Sequence, residues 1–311
     1  EQVILFQNRR GFAPFLECEL CGWIPECKHC DVSLTYHKRN NKLVCHYCGY
    51  QQNIPKVCPS CGSNKIITRG FGTEKIEDEI EILFPEATIK RMDLDTTRSR
   101  NAYEKIIHSF EEGNIDILVG TQMVSKGLDF DNVNVVGILN ADNMLNFPDF
   151  RAFERSYQLM AQVSGRAGRK NKRGTVVIQT SKPSHPIIKN VIDNDYTGMY
   201  KSQLAERKEF MYPPFYKLIR ILLKHKKIDK LNHAANRLNK ELQKTFGYRV
   251  LGPQDPLVGR IQNYYLKHIL IKIEREKSLR KSKEIIRNTA QNVINQPDNK
   301  SLQVHFDVDP L

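Results

Sequence analysis

The chain has 311 residues, 40% of them apolar, which is enough for two domains with packed cores. No stretch approaches the roughly 20 apolar residues that span a bilayer, and no leader of the secretory kind opens the chain, so a cytoplasmic protein with no membrane contact is expected. The formal charge is +13, and +12 of it falls in residues 201–311, an imbalance that points to a polyanionic partner, nucleic acid first.

Glu1-Gln2-Val3-Ile4-Leu5-Phe6 reads as the lead-in to a strand over Val3–Phe6, and Asn8-Arg9-Arg10-Gly11 follows it. A chain that opens on such an element, and on Glu1 rather than Met, is expected to be part of a longer protein. Residues 16–63 then hold all eight cysteines as four C-x-x-C pairs. A C-x-x-C turn aims two sulfurs at one point, and two such turns make the tetrahedral thiolate site that zinc accepts. Disulfides would need an oxidising compartment, for which nothing else in the sequence argues. An iron–sulfur cluster is the other thiolate-bound alternative. Cys27/Cys30 and Cys45/Cys48 stand at zinc-ribbon spacing, which leaves Cys18/Cys21 to join Cys58/Cys61 around them. The expectation is therefore a nested arrangement, with Cys18, Cys21, Cys58 and Cys61 on zinc 1 and Cys27, Cys30, Cys45 and Cys48 on zinc 2. The alternative is a sequential pairing, which would have to fold Cys21 onto Cys27 across five residues. Both ions are expected to be structural. His29 and His46 lie between ligands and are expected beside the metal or in solvent.

Ile66-Ile67-Thr68 reads as a strand. Thr73 is the expected N-cap of a helix carrying Ile76, Ile80 and Leu83 on one face, which Pro85 ends. Thr88–Met92 is a short strand, and Arg100–Glu112 an amphipathic helix closed by Gly113. Ile115–Val119 is a buried strand that runs into Gly120-Thr121-Gln122. Val133–Leu139 is a strand, Phe153–Ser164 a helix and Thr175–Gln179 a strand. Strands alternating with helices of this length predict a doubly wound parallel α/β sheet, with the cysteine module inserted between its first elements. A helical stretch near 184–210 leads to a boundary at Pro213-Pro214. Beyond it come strand 218–223, helix 230–245, strand 249–251, strand 264–273, helix 279–294 and strand 302–308, the β-α-β-β-α-β order of a ferredoxin-like domain. The predicted organisation is 1–15 with 64–200 as the α/β domain, 16–63 as the zinc insertion and 201–311 as a basic, DNA-binding C-terminal domain.

Two strings carry the chemistry. Gln162-Val163-Ser164-Gly165-Arg166-Ala167-Gly168-Arg169 ends a helix, and its glycine-spaced guanidinium groups suit phosphoryl oxygens. Gly120-Thr121-Gln122-Met123-Val124-Ser125-Lys126-Gly127-Leu128-Asp129-Phe130 follows a buried strand, where α/β sheets bind ligands. In this order they resemble motifs V and VI of superfamily 2 helicases, on the second RecA-like lobe. With them stand Asn8-Arg9-Arg10-Gly11, the cysteine pairs, Gly72-Thr73-Glu74-Lys75-Ile76-Glu77, Pro148-Asp149-Phe150-Arg151-Ala152-Phe153-Glu154-Arg155, Tyr212-Pro213-Pro214 and Asp307-Val308-Asp309-Pro310. The series resembles the PriA family of bacterial primosomal helicases over essentially the whole chain.

That resemblance implies an ATP-dependent 3′→5′ DNA helicase that binds stalled or forked DNA and restarts replication by primosome assembly. It implies arginine-finger roles for Arg166 and Arg169, coupling of nucleotide to DNA for Gln162, nucleotide proximity for Gly127 and Asp129, and DNA contact for Thr121 and Lys126. Asn140 stands where the family pattern has Asp, which puts in doubt any role that needs charge there. ATP and Mg2+ belong to the intact enzyme. Implied partners are forked and single-stranded DNA, single-strand-binding protein and the primosome or helicase-loading proteins, with a monomer as the expected state. The sequence has no Gly-Lys dipeptide and hence no Walker A loop, and its sole Asp-Glu, Asp78-Glu79, falls in an amphipathic helix, so the chain alone is expected neither to hydrolyse ATP nor to unwind DNA. In the basic domain Lys224, Lys267 and Lys272 are candidate phosphate contacts, among Lys226, Lys227, Arg260, Arg280, Lys281 and Lys283, with Tyr264 and Tyr265 available to stack on bases or to fill the core. The alternative of another class is a non-enzymatic zinc-ribbon scaffold that binds DNA and recruits partner proteins.

Overall fold

The computed structural model describes residues 1–8, 15–37, 40–69, 72–93, 96–97, 99–124, 130–168 and 173–310. The chain forms two compact units, one from residues 1–14 and 70–204 and the other from 15–69 and 205–311.

The first unit is a five-stranded, wholly parallel sheet. Its spatial order is Thr175–Ile178, Val133–Leu139, Gln2–Gln7, Ile117–Gly120, Ile89–Met92. Gln2–Gln7 lies at the centre, flanked in register by Ile117–Gly120 and Val133–Leu139. Strands covered on both faces must be apolar throughout, and every residue of Ile117–Gly120 is buried. One face packs on helices Arg100–Glu111 and Ala152–Ser164 through Phe6, Phe110, Leu118, Val136, Met160 and Val163. The other packs Ile89, Ile117 and Val119 on Ile76 of helix Thr73–Leu83. This is the doubly wound α/β lobe that the alternation predicted.

Two details differ from the reading of the sequence, and the expected helical stretch is resolved further. Gly72, not Thr73, is the N-cap of helix Thr73–Leu83, with no side-chain cap. The Thr73 hydroxyl instead donates to buried Asp93 Oδ2 at 2.6 Å. The stretch 184–210 is two helices, Pro186–Ile192 and Tyr196–Glu209. The strand Ile66–Arg69, assigned with residues 64–200 to the lobe, pairs antiparallel with Phe15–Cys18 and so belongs with the cysteines.

In the second unit the cysteine module also holds a three-stranded meander, Thr35–His37, Lys42–Val44 and Gln51–Asn53. The rest is a four-stranded antiparallel sheet in the order Val250–Gln254, Tyr264–Glu274, Tyr216–His225, Gln303–Val308, with the two-residue strand Arg260–Ile261 added to Tyr264–Glu274. Helices Ile228–Phe246 and Leu279–Ile294 pack on it with one core. Leu231, Ala234, Ala235, Leu238, Leu242 and Phe246 line one side of the first helix at the three- and four-residue spacing of an amphipathic helix. Gly247, at φ 59°, ends it. Ser278 caps the second helix by accepting from the Lys281 amide. The pattern is the ferredoxin-like one that the element order predicted.

Phe110 is fully buried and meets Phe130 edge-on, with ring centroids 4.7 Å apart. Phe110→Ala leaves a ring-sized void and should cost about 3–5 kcal/mol. Urea unfolding followed by circular dichroism should show that loss. The fluorescence of Trp23, the chain's one tryptophan, should keep its midpoint, because it reports the other unit.

Candidate functional site

The cysteines fall into two groups of four, Cys18/Cys21/Cys58/Cys61 and Cys27/Cys30/Cys45/Cys48, with all sulfurs of a group within 4.8 Å of one another. This is the nested arrangement. The sulfurs of Cys18 and Cys61 are 3.6 Å apart, as are those of Cys21 and Cys58, and those of Cys27 and Cys48 are 3.5 Å apart. A tetrahedron with zinc–sulfur bonds of about 2.3 Å has edges of about 3.8 Å, so both groups fit a zinc ion. None of the eight is in a disulfide.

The knuckles that aim these sulfurs share one build. In each, the amide of the first cysteine donates to the carbonyl five residues on, at Trp23, Val32, Tyr50 and Ser63. In three of them a glycine follows the second cysteine, and its amide donates back to the first cysteine's carbonyl. Gly22, Gly49 and Gly62 sit at φ 70°, 77° and 73°, a region that favours glycine. The knuckle Cys27–Cys30 has Asp31 in that place.

Burial pushes the Cys27 thiol up to about 12 and moves Cys30 in the same direction. The backbone amide of Cys21 draws Cys18 the other way, down to about 7. Buried thiols with raised proton affinity are poor anions unless a cation joins them, and the divalent ion is what makes four thiolates in this space tolerable. His29 and His46 are not ligands. His46 Nε2 lies 3.2 Å from His37 Nε2, and His29 meets Asn263.

In the lobe, the first helicase-like string leaves the C-terminal end of strand Ile117–Gly120, and the second ends helix Ala152–Ser164 and is tied to Val133 at the start of its strand. Gly120 ends its strand where an added Cβ would meet Val124 Cγ1 at 2.2 Å and the Met92 carbonyl oxygen at 2.8 Å, so no larger residue enters without movement. Thr121 follows, bonded through its amide to the Met92 carbonyl, and Gln122–Val124 form a short 3-10 turn. Gln162 and Arg166 lie at the end of helix Ala152–Ser164, where the Arg166 amide donates to the Val163 carbonyl. Gly168, at φ 72°, ties the loop to the Val133 carbonyl. Gly174 approaches so closely that a Cβ there would lie 2.3 Å from the Gly168 nitrogen. Lys126, Gly127, Asp129 and Arg169 lie outside the described residues, as do Arg9, Arg10 and Gly11.

Gln162 and Gln122 line one cleft of about 280 Å³, together with Asn8, Asn143, Arg155 and Gln158. Five of these six are amides, able both to donate and to accept. Asn8 and Arg155 stood in the quoted strings without an assigned role, and Asn143 and Gln158 carried no signal at all. Asp149 builds the entry to the helix: its Oδ1 accepts from the Arg151 amide at 2.7 Å, and its Oδ2 pairs with Arg155 at 3.0 Å. Asn140 sits at φ 49°, a backbone region where Asn is enriched, so the residue fits its conformation without needing a charge.

The basic domain sorts its cations differently from the sequence reading. Lys272 is only 5% exposed, its ammonium donates to the Phe210 carbonyl at 2.6 Å and lies 3.8 Å from the Tyr212 ring centroid. It is a buried clasp and not a phosphate contact, because the strand register turns it under Tyr212. Lys267 pairs with Asp255 at 2.8 Å. Lys224 is half-buried on the strand Tyr216–His225. Arg280, Lys281 and Lys283 are exposed on helix Leu279–Ile294, as is Arg287, which the sequence reading passed over. Tyr265 packs against the core, and Tyr264 lies under Lys226 with the ammonium 5.5 Å from its centroid.

Three family models match the chain. They are described as the PriA DNA helicase Cys-rich region domain (residues 27–52), the helicase conserved C-terminal domain (60–171) and the primosomal protein N C-terminal domain (208–311). The chain is 40% identical to a replication restart protein PriA of Bacillus subtilis, over 100% of this chain and 38% of that protein. It is 38% identical to the protein of that name from Haemophilus influenzae, over 99% of this chain and 42% of the relative. The chain thus spans about two fifths of the length of these relatives. Among the described residues no helix is long and apolar enough to cross a membrane.

The metal sites make a direct prediction. Elemental analysis should find two zinc ions per chain, and Cys61→Ser should leave one. Zinc uptake at neutral pH should release protons, detectable with an indicator dye. Since protons compete for Cys27 and Cys30, apparent affinity should fall as the pH is lowered. Two zinc ions retained by Cys61→Ser would contradict the four-thiolate assignment.

Proposed function

We infer the function from the premise that this chain belongs to the PriA family of replication restart proteins: it is the C-terminal portion of an ATP-dependent 3′→5′ DNA helicase that acts at stalled or forked DNA. The observation that carries this reading is the cleft lined by Gln122 and Gln162, from the two helicase-like strings, together with Asn8. Glutamine there can hydrogen-bond to a partner in either of two orientations, which suits a residue that relays the state of a nucleotide and not one that does chemistry.

In this reading Arg166 and Arg169 neutralise charge that develops on the γ-phosphate of ATP, with Mg2+ bridging the phosphates. Gly127 and Asp129 shape the loop near the nucleotide, while Thr121 and Lys126 contact the DNA backbone. The chain by itself neither hydrolyses ATP nor unwinds DNA. The exposed cations of helix Leu279–Ile294, with Lys224, Lys226 and Lys227, bind DNA without sequence preference. Single-strand-binding protein and primosome or helicase-loading proteins are its partners, it acts in the cytoplasm, and it works as a monomer. The zinc module does no chemistry, since four thiolates leave no open position on the metal.

Two measurements test this. In the full-length enzyme, Arg166→Ala should lower DNA-stimulated ATP hydrolysis by about 10³-fold or more, with fork binding retained. Hydrolysis at the unmodified rate would remove Arg166 from the active centre. Affinity of the chain for forked DNA should fall linearly in log–log form with salt. Replacing Arg280 and Lys283 by alanine should reduce that slope by about one per lost phosphate contact, and Lys272→Ala should lower stability with the slope unchanged.

A further inference from the structure

The two zinc sites are not equivalent. Three knuckles close on themselves, with the amide four residues after the first cysteine returned to that cysteine's carbonyl. In the fourth, Cys27–Cys30, the corresponding amide is that of Asp31, and it donates to the Arg260 carbonyl of the C-terminal domain at 3.0 Å. The knuckle is open by one hydrogen bond, and the domain closes it.

The closing element is the hairpin that joins the short strand Arg260–Ile261 to Tyr264–Glu274. At its tip the Gln262 amide donates to the sulfur of Cys30 at 3.3 Å. These residues are 232 apart in sequence. The Asn263 amide donates to the His29 carbonyl at 2.9 Å, and the Asn263 side chain lies 3.2 Å from His29 Nδ1. Ile261 packs into the small core of the module with Leu16, Leu34 and Leu43. Arg260 Nε pairs with Asp31 Oδ1 at 2.8 Å, an exposed pair that adds direction more than strength. Gln262 and Asn263 both have positive φ, 51° and 63°, in a two-residue turn that would suit Asn-Gly better. A turn held in that conformation without glycine persists where its surroundings determine it.

We propose that the hairpin Arg260–Asn263 is part of the second zinc site, supplying through Arg260 the accepting carbonyl that the first cysteine supplies in the glycine knuckles, and through Gln262 an amide to the Cys30 sulfur, so that zinc 2 anchors the C-terminal domain to the cysteine module. A thiolate that accepts an amide hydrogen bond gives up some of its charge, which steadies a zinc centre carrying four of them. The coupling is reciprocal: a ligated Cys30 holds the hairpin, and the hairpin holds the ligated form of Cys30. Zinc 1 has no such tie among the described residues. Its three lobes of contact, the knuckles Cys18–Cys21 and Cys58–Cys61 and the strand pair beneath them, all lie within residues 15–69. The inference rests on the tetrathiolate assignment and is independent of the helicase reading.

Chelator competition on the zinc-loaded chain tests one direction. Ile261→Glu, which puts a carboxylate where the apolar side chain packs, should weaken one of the two zinc ions by about 10- to 100-fold and leave the other unchanged. Ile261→Val should behave as the parent. Hydrogen exchange tests the other direction without touching the hairpin. In Cys27→Ser/Cys48→Ser, the amides of residues 259–266 should lose protection while those of helix Ile228–Phe246 keep theirs, which shows the domain still folded. Zinc affinities unchanged in Ile261→Glu, or full protection of residues 259–266 in the metal-site variant, would overturn the proposal.

Discussion

Two groups of four sulfurs, each held within 4.8 Å of one another, are the constraint from which the cysteine module is built. Cysteine in such a place is either a protonated thiol with unsuited neighbours or a ligand to a cation. The module has little else to hold it together: its core cluster contains three leucines, and its other fully buried members are ligands. Apolar burial on that scale does not offset the entropy of ordering the module, so the metal is the folding energy. Once it is bound, the knuckles, the meander Thr35–Asn53 and the strand pair Phe15–Cys18 with Ile66–Arg69 follow from where the sulfurs must point.

The lobe answers a different constraint. A parallel sheet covered on both faces is rigid and apolar, and it exposes function only at its strand ends. Gly120, Gly168 and Gly174 mark the points where backbone must approach backbone for the two loops to sit there. The amides Asn8, Gln122 and Gln162 then share a cleft although they come from three distant stretches of chain. The relation of this lobe to PriA relatives explains why those stretches occur together, and the close approach at Gly174 explains how the arginine loop keeps its place.

Much of this was legible beforehand, and the failures have physical reasons. Strand Val133–Leu139 and helix Leu279–Ile294 came out with the bounds that periodicity assigned, because a long run of one period leaves few alternatives. The nested cysteine groups were legible from the ribbon spacing of Cys27/Cys30 and Cys45/Cys48, although the spacing alone left the sequential pairing open. Thr73 misled because its hydroxyl is taken by Asp93, twenty residues on, and a capping rule sees only the next turn. Ile66–Arg69 misled because a strand's sequence does not name its partner. Lys272 misled for the same reason: the strand pattern says which face it takes, and only the tertiary structure puts Tyr212 over that face. The hairpin at Cys30 had one trace in the sequence, the Asp31 that stands where three sister knuckles have glycine.

Net charge is the coarsest of these signals, and the C-terminal domain shows why. Its +12 excess is a sum over cations with unlike duties. Arg220 pairs with Asp307, Arg249 with Glu274, Lys244 with Glu241, Lys267 with Asp255 and Arg260 with Asp31. Lys272 is spent inside the fold. Among the cations that remain turned outward are those of helix Leu279–Ile294 and Lys226 and Lys227 in the turn after strand Tyr216–His225, with others such as Arg237, Lys240, Arg275 and Lys300 elsewhere on the domain. A polyanion responds to the field of the exposed groups, since the paired ones are already neutralised at short range. The same excess therefore supports attraction to DNA while leaving most individual lysines and arginines as poor guides to where the DNA lies. Those with an acidic or carbonyl partner hold the domain, and those without one in the fold are the groups left to meet phosphate.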